Sequence, residues 1–201
     1  FQLLLESPDV DRSGRPPDDG IGQIWHQTMD PAEASAVLAQ MGYHPPAEAI
    51  QILNDLHDDS ATRALSSIGR QRLDRLIPLV VAEAGRAGQP LTALHRLADL
   101  IRAVERRTSY LALLLEYPAA LAHLVKLADA SPWIASLLAQ HPVLLDELLD
   151  PRTLYRPPSR EMLETEIKRR LGRAPDEDLE AQIEALCIFK QINVLRVAAA
   201  D

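Results

Sequence analysis

The chain has 201 residues, of which 47% are apolar and 4% aromatic, and it carries a formal net charge of −8 with a pI near 5.2. The acidic balance argues against a nucleic-acid or anionic membrane partner, because such binding needs clustered Lys and Arg. No stretch approaches the roughly 20 unbroken apolar residues that span a bilayer, and the N-terminus lacks a basic region followed by an apolar run, so we expect a cytoplasmic protein with no membrane partner.

The predicted fold class is all-α, because Leu and Ala dominate and β-branched residues are too scattered to build several strands. We expect a multi-helix bundle of short proline-initiated helices, with a long helical hairpin and a long C-terminal helix. The predicted ranges are 1–7 (the end of a preceding part, with the last turn of a helix at 1–5), 8–20 (a flexible linker), 21–69 (short helices) and 70–201 (the main bundle). Since the chain starts on Phe1 rather than Met and stops at Asp201 inside a helical run, we expect a fragment of a longer protein.

The first third of the chain indicates a linker followed by short helices. Residues 7–20 are rich in Pro, Gly and Asp, which is typical of a linker. Asp30 followed by Pro31 predicts an N-cap with proline at the first helical position, and a helix to about Met41. Pro46 permits another helix, which ends before the polar residues 57–60.

The strongest periodicity begins at Arg70 and predicts two long helices in an antiparallel hairpin. The first helix is apolar on one face as far as Ala84 and contains Pro78, which should kink it. Gly85 and Gly88 end it. The second helix carries aliphatic residues at three- and four-residue spacing, namely Leu91, Leu94, Leu97, Ile101 and Val104.

A short internal echo follows the hairpin and predicts stacked helices. Each copy has proline at a helix start, and the pattern should stack leucine faces on one another. Ser131-Pro132 and Asp150-Pro151 repeat the same helix start. Leu113-Leu114, Pro118, Leu121 and Leu124 recur 24 positions later as Leu137-Leu138, Pro142, Leu145 and Leu148.

The C-terminal part predicts two further helices. Ser159 follows two prolines and opens a helix that ends at Gly172. Pro175 and the acidic residues 176–178 start the last helix, because carboxylates favour the positive end of the helix dipole.

We expect the last helix to be buried. It should place Leu179, Ile183 and Leu186 inward, and from 192 to 200 it is apolar nearly all round. The single cysteine, Cys187, lies between apolar neighbours and is interpreted as a buried, inert thiol.

The histidines give little support for a metal site. The six residues, at positions 26, 44, 57, 95, 123 and 141, show no zinc-ligand spacing and are interpreted as surface, cap or core histidines. His57-Asp58 is similar to the His-Asp pair of metal phosphohydrolases. That chemistry needs further His and Asp ligands on neighbouring helices, and an aspartate-rich turn explains the pair equally well. A metal phosphohydrolase is a disfavoured alternative.

Two carboxylate pairs have the spacing that nucleotidyl transfer uses to hold two magnesium ions, Asp9 with Asp11 and Asp176 with Asp178. In such enzymes the pair lies on a strand behind a Gly-Ser phosphate-binding turn. Here one pair lies in the linker and the other opens a helix, where successive side chains diverge by about 100°. We interpret them as a solvated loop and a helix cap.

No other motif indicates catalysis. The chain lacks a glycine-rich phosphate loop and a Ser–His–Asp arrangement with a nucleophile elbow. The densest basic groups are Arg102, Arg106, Arg107 and 168–170, interpreted as solvated helix faces, with contact to an acidic partner or a nucleotide phosphate as the alternative. We assign no catalytic, cofactor-binding or metal-binding residue, and we expect no cofactor in this chain.

Six runs of residues are distinctive, among them YLALL (110–114), EYPAAL (116–121) and LLDELLDPRTLY (144–155). Together they resemble the glutamine synthetase adenylyltransferase family. The resemblance covers about 70–201 and is weaker before residue 70. The LDELLDP run at 145–151 is specific. The other three runs are ASPWIA (130–135), FKQ (189–191) and LRVAAAD (195–201).

The resemblance implies a bifunctional parent enzyme with two similar nucleotidyltransferase halves. The N-terminal half would remove AMP from a tyrosine of glutamine synthetase and the C-terminal half would attach AMP from ATP, with Mg expected for the parent. A PII-type signal protein and glutamine would set the balance. On this resemblance 1–7 closes the deadenylylating half, and 70–201 is the helical lead-in to the adenylylating half.

The family's Gly-Ser and Asp-x-Asp signature is expected after Asp201, so no catalytic residue carries over to this chain. We therefore expect a non-catalytic helical scaffold that links and orients the two catalytic halves. The alternative is a free-standing helical interaction module that binds a partner helix in a leucine groove.

Overall fold

The computed structural model describes residues 18–173 and 177–201, and within these ranges it confirms the all-α prediction. No single helix of the described part is long and apolar enough to cross a membrane, although Thr108–Glu116 and Pro118–Ala130, which meet at a bend of 104°, meet the length and composition criteria as a pair. The described part holds one 3-10 helix, Pro142–Leu149, and twelve α-helices. These are α1 (Asp18–Trp25), α2 (Pro31–Gln40), α3 (Pro46–His57), α4 (Ser60–Arg63), α5 (Ser67–Ala84), α6 (Pro90–Val104), α7 (Thr108–Glu116), α8 (Pro118–Ala130), α9 (Pro132–Gln140), α10 (Pro151–Leu154), α11 (Arg160–Leu171) and α12 (Leu179–Ala200).

Proline starts more than half of these helices. It stands at the first position of α2, α3, α6, α8, α9, α10 and the 3-10 helix, where the missing N–H is one that the helix could not pair internally. Asp30, Ser131 and Asp150 precede three of these prolines and accept hydrogen bonds from N–H groups of the first turn. The expected bundle of short proline-initiated helices is confirmed.

The two long helices of the predicted hairpin form the centre of the core. α5 packs on α1, α7 and α8, α6 packs on α3, α8 and α9, and the two helices contact each other. Leu73, Leu76 and Leu97 are at most 1% exposed. Pro78 lies inside α5 and is itself buried. The core is continuous, since buried residues from α1 to α12 belong to one cluster.

The loop between α2 and α3 is held tightly against α5. Tyr43 is fully buried, and its hydroxyl donates to the Val81 carbonyl oxygen at 2.6 Å. Burial raises the pKa of the Tyr43 phenol, which keeps it protonated as a donor. Gly42 has a φ of +92°, and a Cβ added at Gly85 would stand 2.7 Å from the Met41 carbonyl oxygen. These two glycines allow the backbone of the loop to approach the turn after α5.

The internal echo corresponds to two proline-started helices, α8 and the 3-10 helix, which pack on each other. The second is a 3-10 helix rather than an α-helix. Because a 3-10 helix has three residues per turn, Leu145 and Leu148 lie on one face, and both are fully buried. Leu121 and Leu124 on α8 are also buried, so the predicted stacking of leucine faces is confirmed.

The predicted N-terminal segments fall largely outside the described residues. This holds for the segment at 1–7 with its predicted helix end, for the predicted linker as far as residue 17, and for Asp9 and Asp11. Pro175 and Asp176, before the last helix, also lie outside the described residues. The last three residues of the linker range, 18–20, form the first turn of α1.

The prediction that the last helix is buried is wrong. Only Ile192 and Leu195 of α12 are buried, whereas Leu179 is 68%, Ile183 52% and Leu186 40% exposed. The helix is apolar on two opposite sides, and the described residues cover only one of them.

Cys187 is exposed, so its interpretation as a buried thiol is also wrong. Its apolar neighbours in sequence were a poor guide, because successive residues of an α-helix project about 100° apart. Leu186 and Ile188 therefore lie on other sides of α12.

Candidate interaction surface

The polar residues that the sequence singled out as possible site residues lie at separate places in the described structure. His57 Nδ1 lies 3.2 Å from Oδ1 of the adjacent Asp58, and the His57 ring meets the Trp25 ring edge-on, 5.0 Å between centroids. Asp178 accepts a hydrogen bond from the Ala181 N–H at 2.9 Å and caps α12. Among residues 18–173 and 177–201, no group of three or more His, Cys, Asp and Glu side chains could hold a metal ion.

Two other histidines make contacts between helices. His123 Nδ1 lies 3.0 Å from the Tyr155 hydroxyl, and His141 Nε2 lies 3.1 Å from the Gln191 amide nitrogen. Burial and the nearby charge of Lys126 lower the pKa of His123, which favours the neutral imidazole. These contacts join α8 to the segment after α10, and the start of the 3-10 helix to α12.

Glu105 is a buried acid that the sequence interpretation missed. It caps the C-terminal end of α6, is 0% exposed, and its Oε2 accepts a hydrogen bond from the Thr62 hydroxyl at 2.8 Å. Its Oε1 has no hydrogen-bond partner. Burial raises the pKa of Glu105; the Thr62 hydrogen bond lowers it, and Asp59 raises it further. The sequence offers one sign of this burial: Glu105 lies four residues after Ile101, which places it on the apolar face of α6.

Three of the basic residues singled out in the sequence pair with carboxylates of their own helices. Arg102 lies 2.8 Å from Asp99 on α6, and Arg170 lies 2.8 Å from Glu166 on α11. Arg169 is 3.9 Å from the same glutamate. Such pairs at three- and four-residue spacing are ordinary features of helix surfaces.

A cluster of ion pairs attaches α12 to the rest of the bundle. Arg196 lies 2.8 Å from Glu147 of the 3-10 helix and 3.2 Å from Glu166 of α11. The three side chains are only 12%, 15% and 17% exposed. Arg170 completes the cluster by pairing with Glu166. We call these four residues the Arg196 network.

The Arg196 network sets the charge state of Glu166. Burial alone would raise the pKa of this carboxyl, but the hydrogen bond from Arg170 and the charges of Arg196 and Arg170 outweigh burial and hold the pKa below its usual range. Glu166 is therefore a carboxylate at neutral pH. Because α11 has no buried residue of its own, these ion pairs are a main part of its attachment.

A solvent-exposed apolar surface lies on the far side of α12. At 100° per residue, Leu179, Ile183, Leu186 and Val197 project within about 60° of one another. Their exposed fractions are 68%, 52%, 40% and 54%. The buried Ile192 and Leu195 project from the opposite side of the helix. We call the four exposed residues the apolar stripe.

Two polar residues share the direction of the apolar stripe. Lys190 is exposed, between Leu186 and Val197. Asn193 donates from Nδ2 to the Phe189 carbonyl oxygen at 2.8 Å, and its buried Oδ1 has no hydrogen-bond partner. The stripe thus carries one cation near its middle.

An open cleft of about 490 Å³ lies beside the junction of α11 and α12. Thr153, Ser159, Thr165 and Arg169 are among its lining residues, together with Glu166 and Arg196 of the Arg196 network. The charges of those two residues are directed at each other. We regard the apolar stripe, rather than this cleft, as the surface with the clearest capacity for binding.

Comparison with known proteins identifies relatives along the whole chain. A family model described as glutamate-ammonia ligase adenylyltransferase matches residues 121–201. The chain is 44% identical over its full length to the bifunctional glutamine synthetase adenylyltransferase/adenylyl-removing enzyme of Thioalkalivibrio sulfidiphilus. It is 44% identical to the protein of the same description from Nitrosococcus oceani and 41% identical to that from Pseudomonas putida. It spans 21% of the length of each of these relatives.

Proposed function

We propose that this chain is a non-catalytic helical scaffold that links and orients the two catalytic halves of a bifunctional glutamine synthetase adenylyltransferase/adenylyl-removing enzyme. The chain aligns along its whole length with such enzymes and spans about a fifth of the length of each. The observation that carries this proposal is the continuous core that joins α1 to α12. A single close-packed core resists deformation and moves as one body. A segment built in this way can hold two flanking parts at a defined separation.

In the proposed enzyme, ATP and magnesium belong to the catalytic halves. Among the described residues no three His, Cys, Asp and Glu side chains come together, and we propose no magnesium site in this chain. We assign no step of adenylyl transfer to these residues, and their contribution is to position the halves.

The proposed partners are those of the whole enzyme. Glutamine synthetase is its protein substrate, and a PII-type signal protein its regulator. A cytoplasmic location and the absence of nucleic-acid and membrane partners stay predictions from the sequence.

We also propose that the bundle transmits the regulatory state by moving as a rigid body about the predicted linker that precedes α1. Shortening this linker in the longer protein should change the response of adenylyl transfer to glutamine and the signal protein. An unchanged response would contradict the hinge while leaving the scaffold proposal intact.

The experiment is an assay of both reactions in a protein of the relatives' full length. Glutamine synthetase and radiolabelled ATP report AMP attachment, and labelled adenylylated glutamine synthetase reports its removal. Replacing His57 and Asp58 with Ala should leave both rates within about twofold, because the scaffold proposal places the reacting groups outside this chain. The contrasting variant Leu145→Asp puts a charge into the core and should reduce both rates.

Retained thermal stability is the control for the His57 and Asp58 substitutions. A loss of about a hundredfold or more in either reaction, with unchanged melting, would assign chemistry to this segment and contradict the scaffold.

The second candidate is a free-standing helical interaction module, which the apolar stripe favours because an exposed aliphatic face can receive a partner helix. The same assay separates the two functions. A module with no tie to nucleotidyl transfer would support neither AMP attachment nor AMP removal in any longer form of the protein.

A further inference from the structure

We propose that the apolar stripe of α12 is an intramolecular docking surface, which packs against another segment of the longer polypeptide. This inference rests on the proposed function for one premise, that the chain is part of a longer polypeptide. It goes further by naming the surface through which the scaffold holds a neighbouring part, and the chemistry of the segment it receives.

α12 is apolar on two opposite sides. Ile192 and Leu195 bury one side in the core, while the stripe residues on the opposite side keep 40–68% of their surface exposed. A helix that is apolar on both sides is typical of a position between two packed layers. The described part of the chain supplies one layer, and the second must come from elsewhere.

The stripe is held in a fixed direction. Arg196 lies one residue before Val197 and binds Glu147 and Glu166 from a nearly buried position. With Ile192 and Leu195 in the core, these ion pairs prevent α12 from rotating to hide the stripe. A preorganised surface loses little conformational entropy when it docks.

The size of the stripe favours a segment of the same polypeptide as its occupant. Four partly exposed aliphatic side chains on one helix fall well short of the roughly 800 Å² per partner that stable complexes bury. A second copy of the chain would also bring another net charge of −8. A segment of the same polypeptide needs less area, because the covalent connection already supplies a high effective concentration.

The relatives supply such a segment. Because the chain spans 21% of their length, most of each relative lies outside the region that aligns with it. The expected occupant is an aliphatic helix face with an acidic side chain opposite Lys190, the exposed cation within the stripe. This carboxylate would pair with Lys190 and fix how the two helices align along their length, which apolar contacts alone do not do.

The test compares the isolated 201-residue chain with a protein of the relatives' full length by hydroxyl-radical footprinting. We expect Leu179, Ile183, Leu186 and Val197 to be oxidised several-fold more slowly in the longer protein. Leu195 should react slowly in both, which controls for unfolding. Equal oxidation of the stripe in both proteins would overturn the proposal.

A substitution gives the matching functional measurement. Ile183→Asp should leave the melting temperature of the isolated chain unchanged, because the side chain is half exposed there, and should lower that of the longer protein. Glu184→Gln, at the next position and also exposed, is the control and should leave both unchanged. Unaltered melting of the longer Ile183→Asp protein would overturn docking at this stripe.

Two further outcomes are distinguishable. If the isolated chain dimerises and Ile183→Asp abolishes the dimer, the occupant is a second copy and the intramolecular proposal is overturned. If the longer protein shows the footprint but neither attaches AMP to nor removes it from glutamine synthetase, the proposed function fails while the docking surface stands.

Discussion

At the scale of single residues, Glu105 and Arg196 represent two ways of keeping a charge inside a helical bundle. Glu105 is fully buried with one oxygen bound to Thr62 and the other unpartnered. Arg196 is nearly buried but faces two carboxylates. Because of this difference, pH changes the stability contributed by Glu105 and the stability contributed by the Arg196 ion pairs in opposite directions.

The first prediction concerns Glu105, whose folded-state pKa is raised above the ordinary value of 4.5, chiefly by burial. Between 4.5 and the raised value the folded state keeps a proton that the unfolded state has lost, so the free energy of unfolding decreases as pH rises through this window. Below 4.5 both states are protonated and the penalty is absent.

Glu105→Gln keeps an acceptor for the Thr62 hydroxyl and removes the titration. The stability of this variant relative to the wild type should therefore increase as pH rises above 4.5, as measured by urea unfolding across a pH series. The free energy difference would be independent of pH if Glu105 were ionised as easily as a solvent-exposed glutamate.

The second prediction concerns Arg196. Arg196→Met removes the guanidinium between Glu147 and Glu166, and should cost about 2–3 kcal/mol of unfolding free energy, less than the loss on breaking a fully buried pair. Because the pKa of Glu166 is lowered, the stabilisation is present above its ordinary value of 4.5 and is lost as pH falls through the folded-state pKa. The difference between the variant and the wild type should shrink in acid.

The matched control for Arg196 is Arg160, which pairs with Glu164 at 2.8 Å on α11 while its side chain is 90% exposed. Arg160→Met should change the unfolding free energy by no more than about 0.5 kcal/mol. Equal effects of the two substitutions would show that the Arg196 network contributes no more than a surface ion pair.

At the scale of elements, replacing glycine with alanine should have opposite effects on stability at Gly85 and at Gly22. Gly85→Ala places a Cβ 2.7 Å from the Met41 carbonyl oxygen, so the loop before α3 must move, at a cost of about 1–3 kcal/mol. Gly22 lies within α1 with nothing near its added Cβ, so Gly22→Ala should stabilise by about 0.5–1 kcal/mol. Thermal unfolding of both variants checks the signs, and a stabilising Gly85→Ala would contradict the tight backbone contact.

The helix starts were predictable from sequence because they depend on local chemistry. A proline has no N–H to lose, and the Asp or Ser before it binds the first-turn amides, as at Asp30 and Asp150. α4 was missed because it has only four residues and no apolar periodicity.

Burial in α12 was not predictable, because it depends on what packs against the helix. Apolar residues at Leu179, Ile183 and Leu186 follow a helical spacing that equally fits a core face or a docking face. Periodicity shows that these side chains share a direction. It does not show which protein segment, if any, lies in that direction. The exposed Cys187 follows from the same ambiguity.

At the scale of the whole molecule, the all-α class followed from composition and leucine spacing. The Arg196 network did not, because Glu147 and Glu166 come from different helices and are brought to Arg196 only by folding. The apolar spacing of α12 was therefore visible in the sequence, whereas the ion pairs that hold this helix in place were visible only in the three-dimensional structure.

The scaffold proposal places all adenylyl chemistry outside this chain, and one measurement tests it directly. The isolated chain is incubated with glutamine synthetase, magnesium and radiolabelled ATP, beside a protein of the relatives' full length. We predict that only the longer protein transfers label to glutamine synthetase. Label transferred by the isolated chain above the enzyme-free background would contradict the proposal.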